Sequence, residues 1–230
     1  APAYGPDDKF AAELYTLLGA VAQRHGDLEA ARAAYEGSIP RAIATHGAES
    51  TFTAMAIANV AMLDAETGDF ARADSGAVQA EQIFEKKLGL EAPELINVLI
   101  LRAYAARGQQ RFADARGHLE RALAISTKAN GADHPDTANL EVELAHTDRL
   151  EGKHAAAIAR YQAIVKRAGL PPPMLGEAGF GLAQSLWATG QRAAARDAAT
   201  AASAAYASLG DDFAAKRTEV DRWLTAHPPA

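Results

Sequence analysis

The sequence predicts an all-α protein, a solenoid of about five antiparallel helix pairs closed by one terminal helix. Three observations predict it. Alanine fills roughly a quarter of the 230 positions, which favours helices because alanine loses no side-chain entropy there. No window alternates apolar and polar residues as a strand does. The third observation is a recurring segment. Gly26-Asp27-Leu28-Glu29-Ala30-Ala31 returns as Gly68-Asp69-Phe70-Ala71-Arg72-Ala73 and as Gln110-Arg111-Phe112-Ala113-Asp114-Ala115. It returns again as Gly152-Lys153-His154-Ala155-Ala156-Ala157 and Gly190-Gln191-Arg192-Ala193-Ala194-Ala195. The marker residues opening these segments lie 42, 42, 42 and 38 residues apart, and the short step falls at Pro171-Pro172-Pro173. A fixed period of this length signals stacked structural repeats.

Two columns support the frame. Five residues after each marker stand Ala31, Ala73, Ala115, Ala157 and Ala195; seven before stand Gly19, Ala61, Ala103, Ala145 and Ala183. Each marker separates two apolar stretches at helical spacing. The marker glycine accepts the positive φ of a helix C-cap, so it turns the chain between two antiparallel helices. Where two such backbones approach most closely, only small residues fit. Unit three has Gln110 at the marker and Gly108 before it, which predicts a slightly different turn. Leu28, Phe70 and Phe112 two after the marker, with Tyr35, Leu119 and Tyr161 nine after it, supply the bulk between helices.

The predicted helices span 8–25, 27–45, 50–67, 69–88, 93–108, 111–129, 135–151, 153–168, 173–189 and 191–208. Pro40 should kink or break the second, since it removes a hydrogen bond and clashes with the preceding turn. Pro93 and Pro135 suit first helical turns, and Asp133 or His134 suits the cap before Pro135. A last helix over 212–226 carries Phe213, Val220, Trp223 and Leu224 on one side, as a capping helix does. One domain over 1–230 follows, with repeats at about 8–48, 49–91, 92–133, 134–171 and 172–210. The ends, Ala1–Pro6 and His227–Ala230, should be loose. The chain opens on Ala1, as a processed protein or a piece of a longer one does.

Composition excludes several function classes. A net charge of −6, without a lysine–arginine cluster, argues against nucleic acid as a partner. The absence of cysteine removes disulfides, thiolate catalysis and cysteine-ligated metals. It leaves the compartment open between cytoplasm and periplasm, with the cytoplasm favoured. No apolar run approaches the roughly 18 residues of a spanning helix, so no membrane insertion is expected. The seven histidines form no metal-ligand spacing and read as surface, turn or core residues, with His154 packed in the aromatic column of Phe70 and Phe112. Asp64 and Asp148 occupy equivalent places, suited either to a ligand or to helix pairing. Gly176-Glu177-Ala178-Gly179-Phe180-Gly181 lacks the residues of a phosphate loop and falls inside a predicted helix. No reactive constellation appears, so neither enzymatic activity nor a cofactor or metal is expected.

The small–Gly–aromatic–Ala order within each pair resembles that of tetratricopeptide repeats. The 42-residue period and the linker Gly131-Ala132-Asp133-His134-Pro135-Asp136 resemble the kinesin-light-chain subtype. The resemblance covers residues 8–210. It is densest where Phe112-Ala113-Asp114-Ala115 and Leu119-Glu120-Arg121-Ala122-Leu123 lead into that linker. It implies a right-handed solenoid whose first helices line an inner surface that binds protein or peptide. In bacteria, arrays similar to this one form sensor or docking parts of regulators, including the C-terminal regions of serine/threonine kinases. The implied function is a non-catalytic scaffold of a signalling protein. The alternative is an intramolecular or self-association module that holds a neighbouring domain or a second copy.

Counting back 13, 9 and 6 residues from each marker selects the inner stripe. Its candidate partner-binding residues are Met55, Asn59 and Met62; Asn97, Leu101 and Tyr104; and Asn139, Glu143 and His146. Asparagine both donates to and accepts from a peptide backbone. The subtype's Asn-Asn-Leu-Ala survives only as Asn59-Val60-Ala61, and Leu17 and Gly181 replace the Asn59 equivalent in units one and five. The competing reading of the stripe is solvated or packed helix residues.

Overall fold

The computed structural model describes residues 10–228, and the described residues hold helices and no strand. The predicted helix start at 8 and the looseness expected of Ala1–Pro6 lie outside them. The chain divides into two compact units, Ala1–Ile125 and Ser126–Ala230. The first holds α1 (Ala11–Arg24), α2 (Leu28–His46), α3 (Thr51–Glu66), α4 (Phe70–Leu88) and α5 (Leu95–Gly108). The boundary falls inside α6 (Phe112–Asn130). The second holds α7 (Pro135–Leu150), α8 (His154–Val165), α9 (Pro172–Ala188), α10 (Arg192–Ala207), a 3-10 turn (Gly210–Phe213) and α11 (Ala214–Ala226). In each unit consecutive helices pack as stacked pairs, the architecture of a solenoid.

All five markers turn the chain in the same way. Gly26, Gly68, Gly152 and Gly190 have φ between 77° and 84°, and Gln110 joins them at φ 59°. The turn of unit three therefore does not differ: Gly108 still belongs to α5, and a glutamine carries the left-handed residue. Each turn closes with the N–H after the marker donating to a carbonyl five residues back, as in Asp27 to Ala22, Arg111 to Ala106 and Lys153 to Asp148. This satisfies a helix-end carbonyl that would otherwise be orphaned. In units one and two the same residue also caps the next helix, Asp27 accepting from the Ala30 N–H at 3.0 Å and Asp69 from Arg72 at 3.2 Å.

The two small columns lie buried where helices pack together. All nine alanines in them are at most 1% exposed. At Gly19 the need for glycine is steric, because a Cβ there would sit 2.5 Å from the Tyr35 ring. The aromatic residues at the ninth position thus lie over bare backbone.

Further expectations need correction. Pro40 does not break α2, which runs unbroken from Leu28 to His46. Tyr35, Ser38 and Ala42 on either side of it are buried, and this packing holds the helix through the defect. His227 is not loose. Its ring stacks on Trp223 at 4.2 Å, and its carbonyl accepts from the Arg196 guanidinium. Pro135 is the first residue of α7, and the His134 ring caps it by accepting from the Asp136 N–H. Pro93 sits instead in the turn before α5, two residues ahead of its first residue.

α11 covers the end of the last pair. Val220 is fully buried with Ala183, Ala199, Ala202 and Tyr206, and Phe213, Trp223 and Leu224 pack around them.

Candidate partner-binding surface

In the first unit, three stripe residues converge. Met55 and Asn59 of α3 and Asn97 of α5 line a depression of about 280 Å³ with Ala58, Phe84, Glu94 and Val98. Phe84 from α4 and Val98 are buried and form its apolar floor. Asn59 is half-buried and Asn97 exposed. Their amides make no hydrogen bond among the described residues, so their donors and acceptors remain available beside an apolar floor. Met55 is 54% exposed, an adaptable apolar contact at the rim.

Met62 and Tyr104 continue these two faces two turns further along. Both are exposed, and Tyr104 is held edge-on against Phe70 at 6.0 Å with the Arg107 guanidinium 5.7 Å from its ring centre. Leu101 departs from the stripe. It is 2% exposed, in the core with Leu99 and Ala105, and it cannot touch a partner. The stripe was counted at ideal helical spacing, whereas α5 is buried over more than one face.

In the second unit, Asn139 is exposed, and Glu143 and His146 are half-buried. His146 lies on the edge of a smaller, polar pocket of about 120 Å³, with its Nε2 3.4 Å from the Arg149 guanidinium. Glu177, Gly181 and Gln184 of α9 line it, as do Lys216 and Glu219 of α11. Tyr161 and Tyr206 close it from behind, Tyr161 lying across bare Gly181 and Tyr206 across Gly176. Burial pushes both tyrosines up to about 12, so both hydroxyls stay protonated at neutral pH. The sequence placed Tyr161 between helices but did not show that it and Tyr206 wall a pocket, nor the contribution of α11.

The glycine-rich segment 176–181 is internal to α9 and serves as a seat for aromatic rings. The repeated acidic position is structural. Asp64 is buried against Arg32 at 2.6 Å and Arg72 at 3.5 Å, and Asp148 against Arg160 at 3.0 Å. Glu81, also buried, bridges Arg102 at 2.7 Å and Arg121 at 2.5 Å. His118 stands near this network; burial, and then the Arg102 charge, hold its imidazole below the usual range. No group of metal-ligating residues comes together among the described residues, and no helix there is long and apolar enough to cross a membrane.

Residues 94–168 match the family model of the tetratricopeptide repeat. No curated protein matches the chain. Three solved structures share its fold. The nearly identical tetratricopeptide-like repeats assigned to a kinesin light chain of Podosopora anserina are 20% identical, covering 89% of this chain and 99% of that one, at a TM-score of 0.73. BtubC (BKLC) from P. vanneervenii is 16% identical over 88% of this chain and 82% of its own, at 0.75. A Rap protein complexed with Competence and Sporulation Factor is 16% identical over 94% of this chain and 64% of its own, at 0.74. Over residues 94–168 the chain thus matches the tetratricopeptide repeat, and over most of its length it resembles in fold the kinesin-light-chain-like repeat structures.

Proposed function

We propose that the chain is a non-catalytic scaffold that holds an extended peptide or protein segment along the first helices of its pairs. It would serve as the sensing or docking part of a bacterial signalling or regulatory protein. One observation carries this reading: the unspent amides of Asn59 and Asn97 flank an apolar floor made by Phe84 and Val98. Amides at the rim suit a peptide backbone, and the floor suits an apolar side chain. The Rap protein complexed with Competence and Sporulation Factor supports the reading as an example of this fold in a complex. In the second unit the polar pocket behind His146 would take a polar side chain. The carboxylates Asp64, Asp148 and Glu81 are engaged by arginines, which supports a structural rather than a catalytic part for them.

The test is selection of peptides from a random library on the whole chain, followed by calorimetry on the selected sequences. Asn59→Ala with Asn97→Ala should weaken binding roughly tenfold or more, at about 1 kcal/mol for each lost hydrogen bond. Unchanged affinity in the double variant would place the peptide elsewhere and sink the reading.

A further inference from the structure

The depression of the first unit has one charged wall. Among the described residues lining it, Glu94 is the one acidic or basic residue; the others are apolar or amides. Glu94 stands just before the first residue of α5, where a side chain can cap the helix, yet it makes no cap hydrogen bond. It is exposed, and it makes no ion pair among the described residues. This sets it apart from two carboxylates of the neighbouring α4, since Glu81 and Glu85 are both held by Arg121. Steps of three and four residues put Glu94, Asn97 and Val98 on one side of the first turn of α5. Met55, Ala58 and Asn59 of α3 form the other side of the depression. Phe84 and Val98, both buried, are its floor.

We propose that this depression takes the side chain of a lysine or arginine of the bound segment, an inference that rests on the scaffold reading and names the residue its first unit selects. A long basic side chain has an apolar stem and a charged head, and the depression has a place for each. The methylene stem lies on Phe84 and Val98. The head meets the Glu94 carboxylate at the open rim, where water completes its hydrogen bonds. The four residues from Val98 back to Glu94 rise about 6 Å along the helix, close to the reach of such a stem. A wholly apolar side chain covers the floor but leaves Glu94 unanswered, and an acidic one faces it with like charge. The Asn59 and Asn97 amides remain for the backbone of the segment. The net charge of −6 draws a basic segment toward the chain from a distance.

Pools of random peptides test this on the whole chain. The pools are built of uncharged residues and differ only at a central arginine, lysine, citrulline, norleucine or glutamate. Citrulline has the shape of arginine without its charge, and norleucine stands likewise to lysine. The arginine and lysine pools should yield the tightest binders. In those peptides, exchange for citrulline or norleucine should weaken binding about three- to tenfold by calorimetry at low salt. Glu94→Gln should erase that difference. Glu49→Gln makes the same change of net charge outside the depression and should keep it. Equal yield from all pools, a preference for citrulline, norleucine or glutamate, or a basic preference that survives Glu94→Gln would each overturn the proposal. Those outcomes leave the scaffold reading standing wherever binding still depends on Asn59 and Asn97. Binding that ignores both asparagines sinks that reading, and this inference with it.

Discussion

The ring of Tyr161 lies across the bare backbone of Gly181, so that the α8 side chain meets α9 where α9 has none. Tyr161 is 1% exposed there and forms one wall of the polar pocket. A methyl group at position 181 has no room. Gly181→Ala should therefore destabilise the chain by about 2–4 kcal/mol, although alanine is the better helix former. Denaturant unfolding checks the sign. The penalty should shrink when Tyr161→Leu removes the ring, a coupling that helix propensity alone would not produce.

Gln110 makes the opposite prediction. It holds the left-handed turn that glycine holds in the other four units. Gln110→Gly should stabilise the fold by about 0.5–1 kcal/mol, because relief of strain exceeds the added freedom of the unfolded chain. The same unfolding experiment should show a higher midpoint at an unchanged slope.

Glu81 anchors two arginines inside the first unit. Glu81→Ala removes the carboxylate that Arg102 and Arg121 share, leaving them Asp74 at 3.4 Å and Glu85 at 2.7 Å, at a cost of about 1.5–3 kcal/mol. Thermal unfolding should register this as a large loss. Glu49→Ala, which removes only the exposed bridge to Lys86, should change little.

His118 gives the protein a pH dependence of known sign. Its folded value lies below the ordinary 6.5, so the unfolded chain binds the proton more readily. Stability is complete above about 6.5 and falls as pH drops from there toward the folded value. The contribution of this group disappears in His118→Gln. A titration of unfolding free energy from about pH 8 to 5 should show a shallower decline for that variant.

Much of this was legible in the residues. The markers at 26, 68, 110, 152 and 190 located every turn between paired helices, and the small columns located buried packing positions in each pair, though not the seats of Tyr161 and Tyr206 on Gly181 and Gly176. Both are local: a left-handed turn and a missing side chain follow from one position and its neighbours. The Thr53 and Thr137 hydroxyls, each donating to the carbonyl of its linker glycine at 2.8 Å, escaped notice because threonine at one matched pair of positions makes no period.

The sequence by itself determined the helices, their pairing and the stripe from which Met55, Asn59 and Asn97 come. Tertiary structure alone decided that these three share one apolar floor, that Leu101 turns into the core, and that Asp64 meets Arg32 and Arg72. It alone brought Lys216 and Glu219 of α11 to the pocket behind His146. The physical reason is range. Helical periodicity is written within one turn of chain, whereas the rotation of one helix against the next is the sum of many weak contacts between residues distant in sequence.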